Sequence, residues 1–278
     1  MGQHIDLHIH TTHSDGTCSG AKILEIVREK RLAAFAVTDH DTVEGYFEIR
    51  KLLKGGDPEI IPGVELSVRV DDDDLHILGY YFDPHDKKIT FALEDFQKKR
   101  KQRGRLIVQK LNDLGLDLTF EAVEKLADGA VIGRPHIAEA LFKNGQVGSY
   151  QEAFDRYIKN GGPAYIPKEV MGPAEAVSMI HQAGGLAVLA HPYIGDMLRY
   201  LDMLTALGLD GLEVFHYSHN RENIAFLKSL VERYGLVATG GSDFHGRSGQ
   251  NGRVGSPEVP LTYLEGLKKK IKLRRGKN

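Results

Sequence analysis

The stretch HIDLHIHTTHSDGT, residues 4–17, sets Asp6, His8, His10, His13 and Asp15 close together near the amino terminus. On a strand, side chains two apart share a face, so Asp6, His8 and His10 point one way while Ile5, Leu7 and Ile9 point the other. The apolar face can pack on helices. A row of ionisable groups pointing into a barrel is costly unless something satisfies it, and a divalent cation does so directly. One isolated buried His is ordinarily just hydrogen-bonded. Here the pair has company: His40 follows AFAVTDH, Glu65 ends IIPGVE, His76 sits in LHILGYY, His191 follows LAVLAH, and LVATGGSDFH delivers Asp243 and His245. Each is expected at or near the carboxyl end of its strand, the face on which a barrel builds its active site. With Asp15 the set is six His, two Asp and one Glu, and it contains no thiolate, which points to open hydrolytic sites rather than closed structural zinc. Nine ligands are too many for one ion. Two or three divalent ions are implied, with a carboxylate between two of them, a cluster that can generate hydroxide and hold both reacting oxygens of a phosphoryl group.

The elements that must carry these residues are short apolar runs at 5–9, 34–38, 60–66, 75–82, 186–190, 211–215 and 236–239. Amphipathic segments with readable ends lie between them. Ser19 precedes AKILEIVREKR, Pro173 opens and Gly184 closes AEAVSMIHQAGG, and Asn220 precedes RENIAFLKSLVERYG, closed by Gly235. Strand–helix–strand alternation predicts parallel pairing, and seven such strands fit a (β/α) barrel one unit short of eight. The alternation breaks once. Residues 87–170 carry helical patterns and no strand signal, and are expected to form a helical insertion capping the barrel.

With 278 residues, one Cys and a formal charge of −2, the chain can bury a large core without disulfides and has no global pull toward polyanions. Early polar residues argue against a signal peptide, no apolar run is long enough to span a membrane, and a cytoplasmic location is expected. Two runs are locally basic, KKRKQRGR at 98–105 and LKKKIKLRRGK at 267–277. The first is read either as a solvated helix face or as a track for RNA phosphates, in which Lys98, Lys99 and Arg100 would act.

Taken in order, DLHIHTTHSDG, TDHD, GVE, LHILGY, AHP and GSDFH resemble the PHP (polymerase and histidinol phosphatase) family. The likeness extends to a stand-alone subgroup of nucleotide phosphatases and 5′-to-3′ exoribonucleases whose helical insertion carries a GRPHIA segment, present here at 133–138. The resemblance implies a distorted (β/α)7 barrel of PHP type built from 1–86 and 171–278, with 87–170 inserted. It implies that His8, His10, Glu65 and Asp243 hold one ion, Glu65, His76 and His191 a second, and Asp15, His40 and His245 a third, with Glu65 bridging. The ions would be manganese, zinc, iron or magnesium, and Asp15 stands where some relatives carry His.

A phosphomonoester also needs oriented donors. Arg134 and His136 in GRPHIA sit where Pro135 can open a helix, whose amino end favours anions. Lys168 is a further phosphate candidate. His216, after GLEVF, is expected to contact substrate or transfer a proton, and His219 is another possibility at the same end. The implied activity is metal-dependent removal of phosphate from AMP or 3′,5′-bisphosphate nucleotides by a metal-bound water, with Glu65 and His216 in catalytic roles. The alternatives are a 5′-to-3′ exoribonuclease on short RNA, a histidinol-phosphate phosphatase, and a non-catalytic scaffold stabilised by metal. The expected partner is a nucleotide or short oligoribonucleotide, with no obligate protein partner.

Overall fold

Runs such as FAV, LAVL and GLEVF are apolar on both faces, as strands covered by helices must be. The computed structural model describes residues 3–71, 73–169, 171–246 and 252–276. Its strands are β1 (His4–Ile9), β2 (Ala34–Val37), β3 (Glu59–Val70), β4 (Asp73–Tyr80), β5 (Leu186–Leu189), β6 (Gly211–Phe215), β7 (Val237–Gly240) and β8 (Val259–Pro260). They lie in the order β7-β6-β5-β4-β3-β2-β1-β8 and curl into a nearly closed, distorted barrel. All seven expected runs are strands. The eighth, β8, is a two-residue strand antiparallel to β1, too short to show a period.

Alternation of strand and helix holds for β1–β2–β3 and β5–β6–β7, which pair in parallel. It fails at β4, which is antiparallel to both β3 and β5. Residues 67–74 are too few for the dozen or so a parallel crossover requires, so β3 must fold straight back. Two expectations change with it. Glu65 lies in mid-strand, because β3 runs on to Val70, and His76 lies in the amino half of its strand. The reversed direction of β4 still brings His76 beside β3, opposite Ser67, on the face that carries Glu65.

The seam between β1 and β7 has no ladder among the described residues; it is closed by a backbone bond, His10 N–H to the Phe244 carbonyl (2.9 Å), and by side chains. Asp6 is buried and accepts N–H bonds from Ser242 (2.9 Å), Gly255 (2.7 Å) and His8 (3.3 Å). A Cβ on Gly241 would lie 2.3 Å from the His8 nitrogen, so only glycine lets the two segments meet.

The barrel helices are α1 (Gly20–Glu29), α2 (Glu44–Leu52), α7 (Pro173–Gln182), α8 (Leu201–Ala206), α9 (Arg221–Tyr234) and α10 (Thr262–Arg275). The expected caps are in place. Ser19 accepts from Lys22 N–H, Asn220 accepts from Asn223 N–H, and Gly235 ends α9 at φ +63°, a left-handed turn that suits glycine. Between β4 and α7 come α3 (Lys87–Asp113), α4 (Phe120–Ala127), α5 (Arg134–Lys143) and α6 (Tyr150–Ala153), the last running into a π turn over Phe154–Ile158. These helices have an apolar core of their own around Ile107, Leu111, Phe120, Ile137, Leu141 and Ile158. The cap of α3 is Asp86, which accepts from Lys88 and Ile89 N–H. Among the described residues no helix is long and apolar enough to cross a membrane.

Candidate metal centre

Glu65 lies at the middle of a ring of imidazoles, 1% exposed. Its Oε2 is 3.3 Å from His8 Nε2, 3.2 Å from His10 Nε2 and 3.2 Å from His40 Nδ1. Its Oε1 is 2.8 Å from His76 Nδ1 and 3.0 Å from His191 Nε2, and those two nitrogens are 3.2 Å apart. Asp243 Oδ1 is 3.3 Å from His8 Nε2 and 3.2 Å from His10 Nε2. His245 Nε2 is 3.2 Å from Asp15 Oδ1, with His10 Nδ1 3.8 Å from the same oxygen. All nine residues named from the sequence therefore meet in one place.

Their spacing suits divalent cations. Donors about 2.1 Å from a shared tetrahedral ion lie roughly 3.4 Å from one another. The ligand atoms form three sets within 4.8 Å: His8, His10 and Asp243; His40, Glu65 and His76; and His10, Asp15, His40 and His245. His40 thus stands between Glu65 and the Asp15 set rather than with the latter alone. His8 Nε2, both ring nitrogens of His10, and His40 Nδ1 are buried without a hydrogen bond among the described residues. Buried polar nitrogens are normally satisfied. Lone pairs converging on carboxylates, with no thiolate among them, are the donor set of a divalent-metal site.

Electrostatics point the same way. Burial works against the Glu65 carboxylate, but His40, His76 and His8 outweigh it and hold its pKa well below the usual carboxylate range. Burial also pulls down His10, yet Asp243 and Glu65 hold it up to about 10. His40 falls well below the usual imidazole value because burial dominates. The carboxylates are thus charged and demand cations.

The backbone is strained to deliver two of these residues, with φ +25° at His191 and +50° at Asp243. Asp39 braces the first loop, accepting from Thr11 N–H (2.7 Å), Thr11 Oγ1 (2.7 Å) and Ser14 Oγ (2.6 Å). Sequence reasoning passed over Asp39 and also Glu213, whose signal was a charge inside the otherwise apolar GLEVF.

Above the ring lies a cavity of about 170 Å³ reached by Asp15, His40 and His76 on one side and by Arg100, Arg103, Arg134 and Lys168 on the other. Arg134 is the first residue of α5 and is held by Asn160 Oδ1 (2.7 Å) and the Ile158 carbonyl (3.2 Å), with Asp74 at 3.7 Å. Lys168 is 3.8 Å from Asp74. Arg100, from the run read either as a solvated helix face or as an RNA track, is tied inward to Asp41 Oδ2 (2.7 Å) and Ser67 Oγ (2.7 Å). Arg103 donates to the Ile166 carbonyl at 2.7 Å and keeps a buried Nη2 without a hydrogen bond among the described residues. Lys99 pairs with Asp95 at 2.8 Å on the helix surface.

The remaining candidates fall elsewhere. His136 accepts the Gly133 N–H at 3.1 Å and lines a separate cavity of about 1290 Å³ with His13, Glu139 and Tyr150. His216 is 1% exposed, with Nε2 3.3 Å from Asp243 Oδ2 and Nδ1 2.8 Å from Ser218 Oγ, so it adjoins the ring rather than the cavity. His219 Nδ1 donates to the Val214 carbonyl at 2.9 Å.

The PHP domain profile matches residues 6–167, more than half of the chain. The chain belongs to the PHP domain family. A 5′-3′ exoribonuclease of Haemophilus influenzae is 32% identical over 250 residues, covering 88% of this chain and 91% of its own length. A 3′,5′-nucleoside bisphosphate phosphatase of Chromobacterium violaceum is 32% identical over 261 residues, covering 91% of each. Among solved structures, a Bifidobacterium adolescentis protein assigned as a metal-dependent phosphoesterase superposes with a TM-score of 0.87 at 29% identity over 96% of both chains.

Proposed function

We propose that this PHP protein hydrolyses phosphate esters of nucleotides, removing phosphate from mononucleotides or 3′,5′-bisphosphates. The observation that carries this reading is the imidazole and carboxylate ring around Glu65 opening directly onto a cavity walled by Arg100, Arg103, Arg134 and Lys168. The nucleotide activities printed for the Haemophilus and Chromobacterium relatives support the substrate class. His8, His10, Glu65 and Asp243, then Glu65, His76 and His191, then Asp15, His40 and His245 would hold two or three ions, with manganese and magnesium best suited to the carboxylate-containing third group. Bound divalent cations supply Lewis acidity and an activated water at neutral pH.

The chain's own part is to bind and orient. The cavity is smaller than the roughly 300 Å³ of an ordinary small-molecule site, so it takes the phosphate end of a substrate rather than all of it. Arg134 and Lys168 neutralise the phosphate oxygens, and Arg103 offers its unpaired Nη2. Asp74 keeps the cations apart from one another. Water adds to phosphorus, the ester P–O bond breaks, and the alcohol leaves with a proton. The expected result is release of inorganic phosphate from AMP and 3′-phosphoadenosine 5′-phosphate in the presence of Mn2+. Faster turnover of histidinol phosphate than of both nucleotides would contradict the substrate assignment.

The cavity of about 1290 Å³ beside the first loop favours a second reading, since it offers room for the rest of an oligonucleotide. End-labelled short RNAs would then be shortened stepwise from the 5′ end, with mononucleotides turned over more slowly.

Lys168 makes a pH prediction. Burial, helped by Arg100, pushes its pKa down to about 8, with Asp74 opposing. Its charge is therefore present below about pH 8 and lost above. A phosphomonoester is fully ionised throughout that window, because its second pKa is about 6. Losing one charge-assisted hydrogen bond is expected to raise KM by about tenfold or more between pH 7.5 and 9.5. Lys168→Arg should flatten that rise in steady-state assays.

A further inference from the structure

Glu213 lies outside the nine residues of the ring, yet it touches members of two of its groups. It occupies the middle of β6 between the buried Leu212 and Val214, and its side chain has no exposure. A lone carboxylate in such a place is costly unless its oxygens are matched. Both are. Oε1 is 2.9 Å from His8 Nδ1, and Oε2 accepts the backbone N–H of His191 at 2.7 Å.

These contacts have separate consequences. An ionised carboxylate only accepts, so His8 Nδ1 carries a proton, and Nε2 is the nitrogen left to bind a cation, facing Glu65 Oε2 and Asp243 Oδ1, each 3.3 Å away. The bond to His191 N–H pins a residue whose φ is +25°, a conformation that carries strain for a non-glycine residue. From there the His191 ring sets Nε2 3.0 Å from Glu65 Oε1. One carboxylate therefore aims a nitrogen at each oxygen of Glu65. Partners of this kind orient metal-binding imidazoles and raise their basicity.

We propose that Glu213 is a positioning residue that fixes the His8 tautomer and the His191 backbone together, so that the two ion positions sharing Glu65 are filled and emptied as a pair. This rests on reading the ring as a metal centre.

The test uses Mn2+-loaded holoprotein equilibrated against rising chelator, with ions per chain measured by plasma mass spectrometry. Glu213→Gln keeps the shape but can satisfy only one of the two donors, since its amide nitrogen cannot accept. It is expected to lose both ions together at roughly 10–100-fold less chelator than the wild type. Glu213→Ala should lose them at least as readily, and if it fails to fold the Gln variant alone decides. Leu212→Ala serves as a control for lost packing: it should melt at a lower temperature yet keep its ions to wild-type chelator concentrations. Addition of excess Mn2+ should restore much of the Glu213→Gln turnover while KM stays near the wild-type value. The proposal is overturned if Glu213→Gln retains ions like the wild type, if its ions leave one at a time, or if Leu212→Ala sheds ions in step with its lost stability. A wild-type protein that holds no ion would overturn the metal-centre reading itself, and this inference with it.

Discussion

Glu65→Gln is expected to lower kcat/KM by at least about 10³-fold, the scale of losing several kcal/mol of transition-state stabilisation. The reason is geometric. Oε2 faces His8, His10 and His40 at 3.2–3.3 Å, and Oε1 faces His76 and His191 at 2.8 and 3.0 Å, so one carboxylate serves every imidazole of the inner ring. An amide keeps the volume, but it carries no charge and turns an N–H toward lone pairs that need a cation. The variant should hold at least one ion fewer per chain when both proteins are purified with Mn2+ and counted by plasma mass spectrometry. Because Glu65 is 1% exposed and Gln is isosteric, a folded variant is expected, and its circular dichroism should match the wild type. Full metal content with undiminished turnover would remove Glu65 from the centre of the account.

The second large effect is expected at Arg134. Its guanidinium is fixed by Asn160 and the Ile158 carbonyl and stands 3.7 Å from Asp74 on the cavity wall. Removing a charge-assisted donor aimed at a reacting oxyanion typically costs about 10²–10³ in rate. Arg134→Ala also leaves Asp74 with Lys168 as its remaining close counter-charge on that wall, so the residual carboxylate charge repels the substrate as well. We expect kcat/KM on a mononucleotide to fall by about 10²–10³-fold with metal content unchanged. Arg134→Lys should recover only part of this, because an ammonium cannot grip two phosphate oxygens in a plane. The split between metal content and turnover separates this variant from Glu65→Gln. Loss of ions in Arg134→Ala would instead make Arg134 a support of the ring.

Much of this site was legible because its chemistry leaves dense local marks. His8 and His10 alternate with Leu7 and Ile9, and His40, Glu65, His191 and Asp243 each follow an apolar run, so most of the nine ligands stand out in the sequence, although Glu65 and His76 lie inside their strands rather than at the ends. The direction of β4 was less visible, since an apolar run does not state which way it runs. The deciding clue was the short spacing at 67–74, which leaves no room for a crossover helix. Strand β8 could not have been found, because two residues carry no period. Arg103 and Arg100 were hidden inside a run that reads as a solvated helix face. Only packing shows that their positions turn inward on α3 while Lys99 stays outside. His136 is a different case. The amino end of α5 does carry Arg134 to the cavity, but two residues on, the imidazole has already turned to cap its own helix.

The most direct test is anomalous diffraction at the manganese edge from crystals grown with Mn2+. The account predicts two or three peaks, at least one of them within coordination distance of Glu65 and of His8 and His10, or of His76 and His191. Crystals of the folded protein in saturating Mn2+ with no peak among these side chains would contradict it.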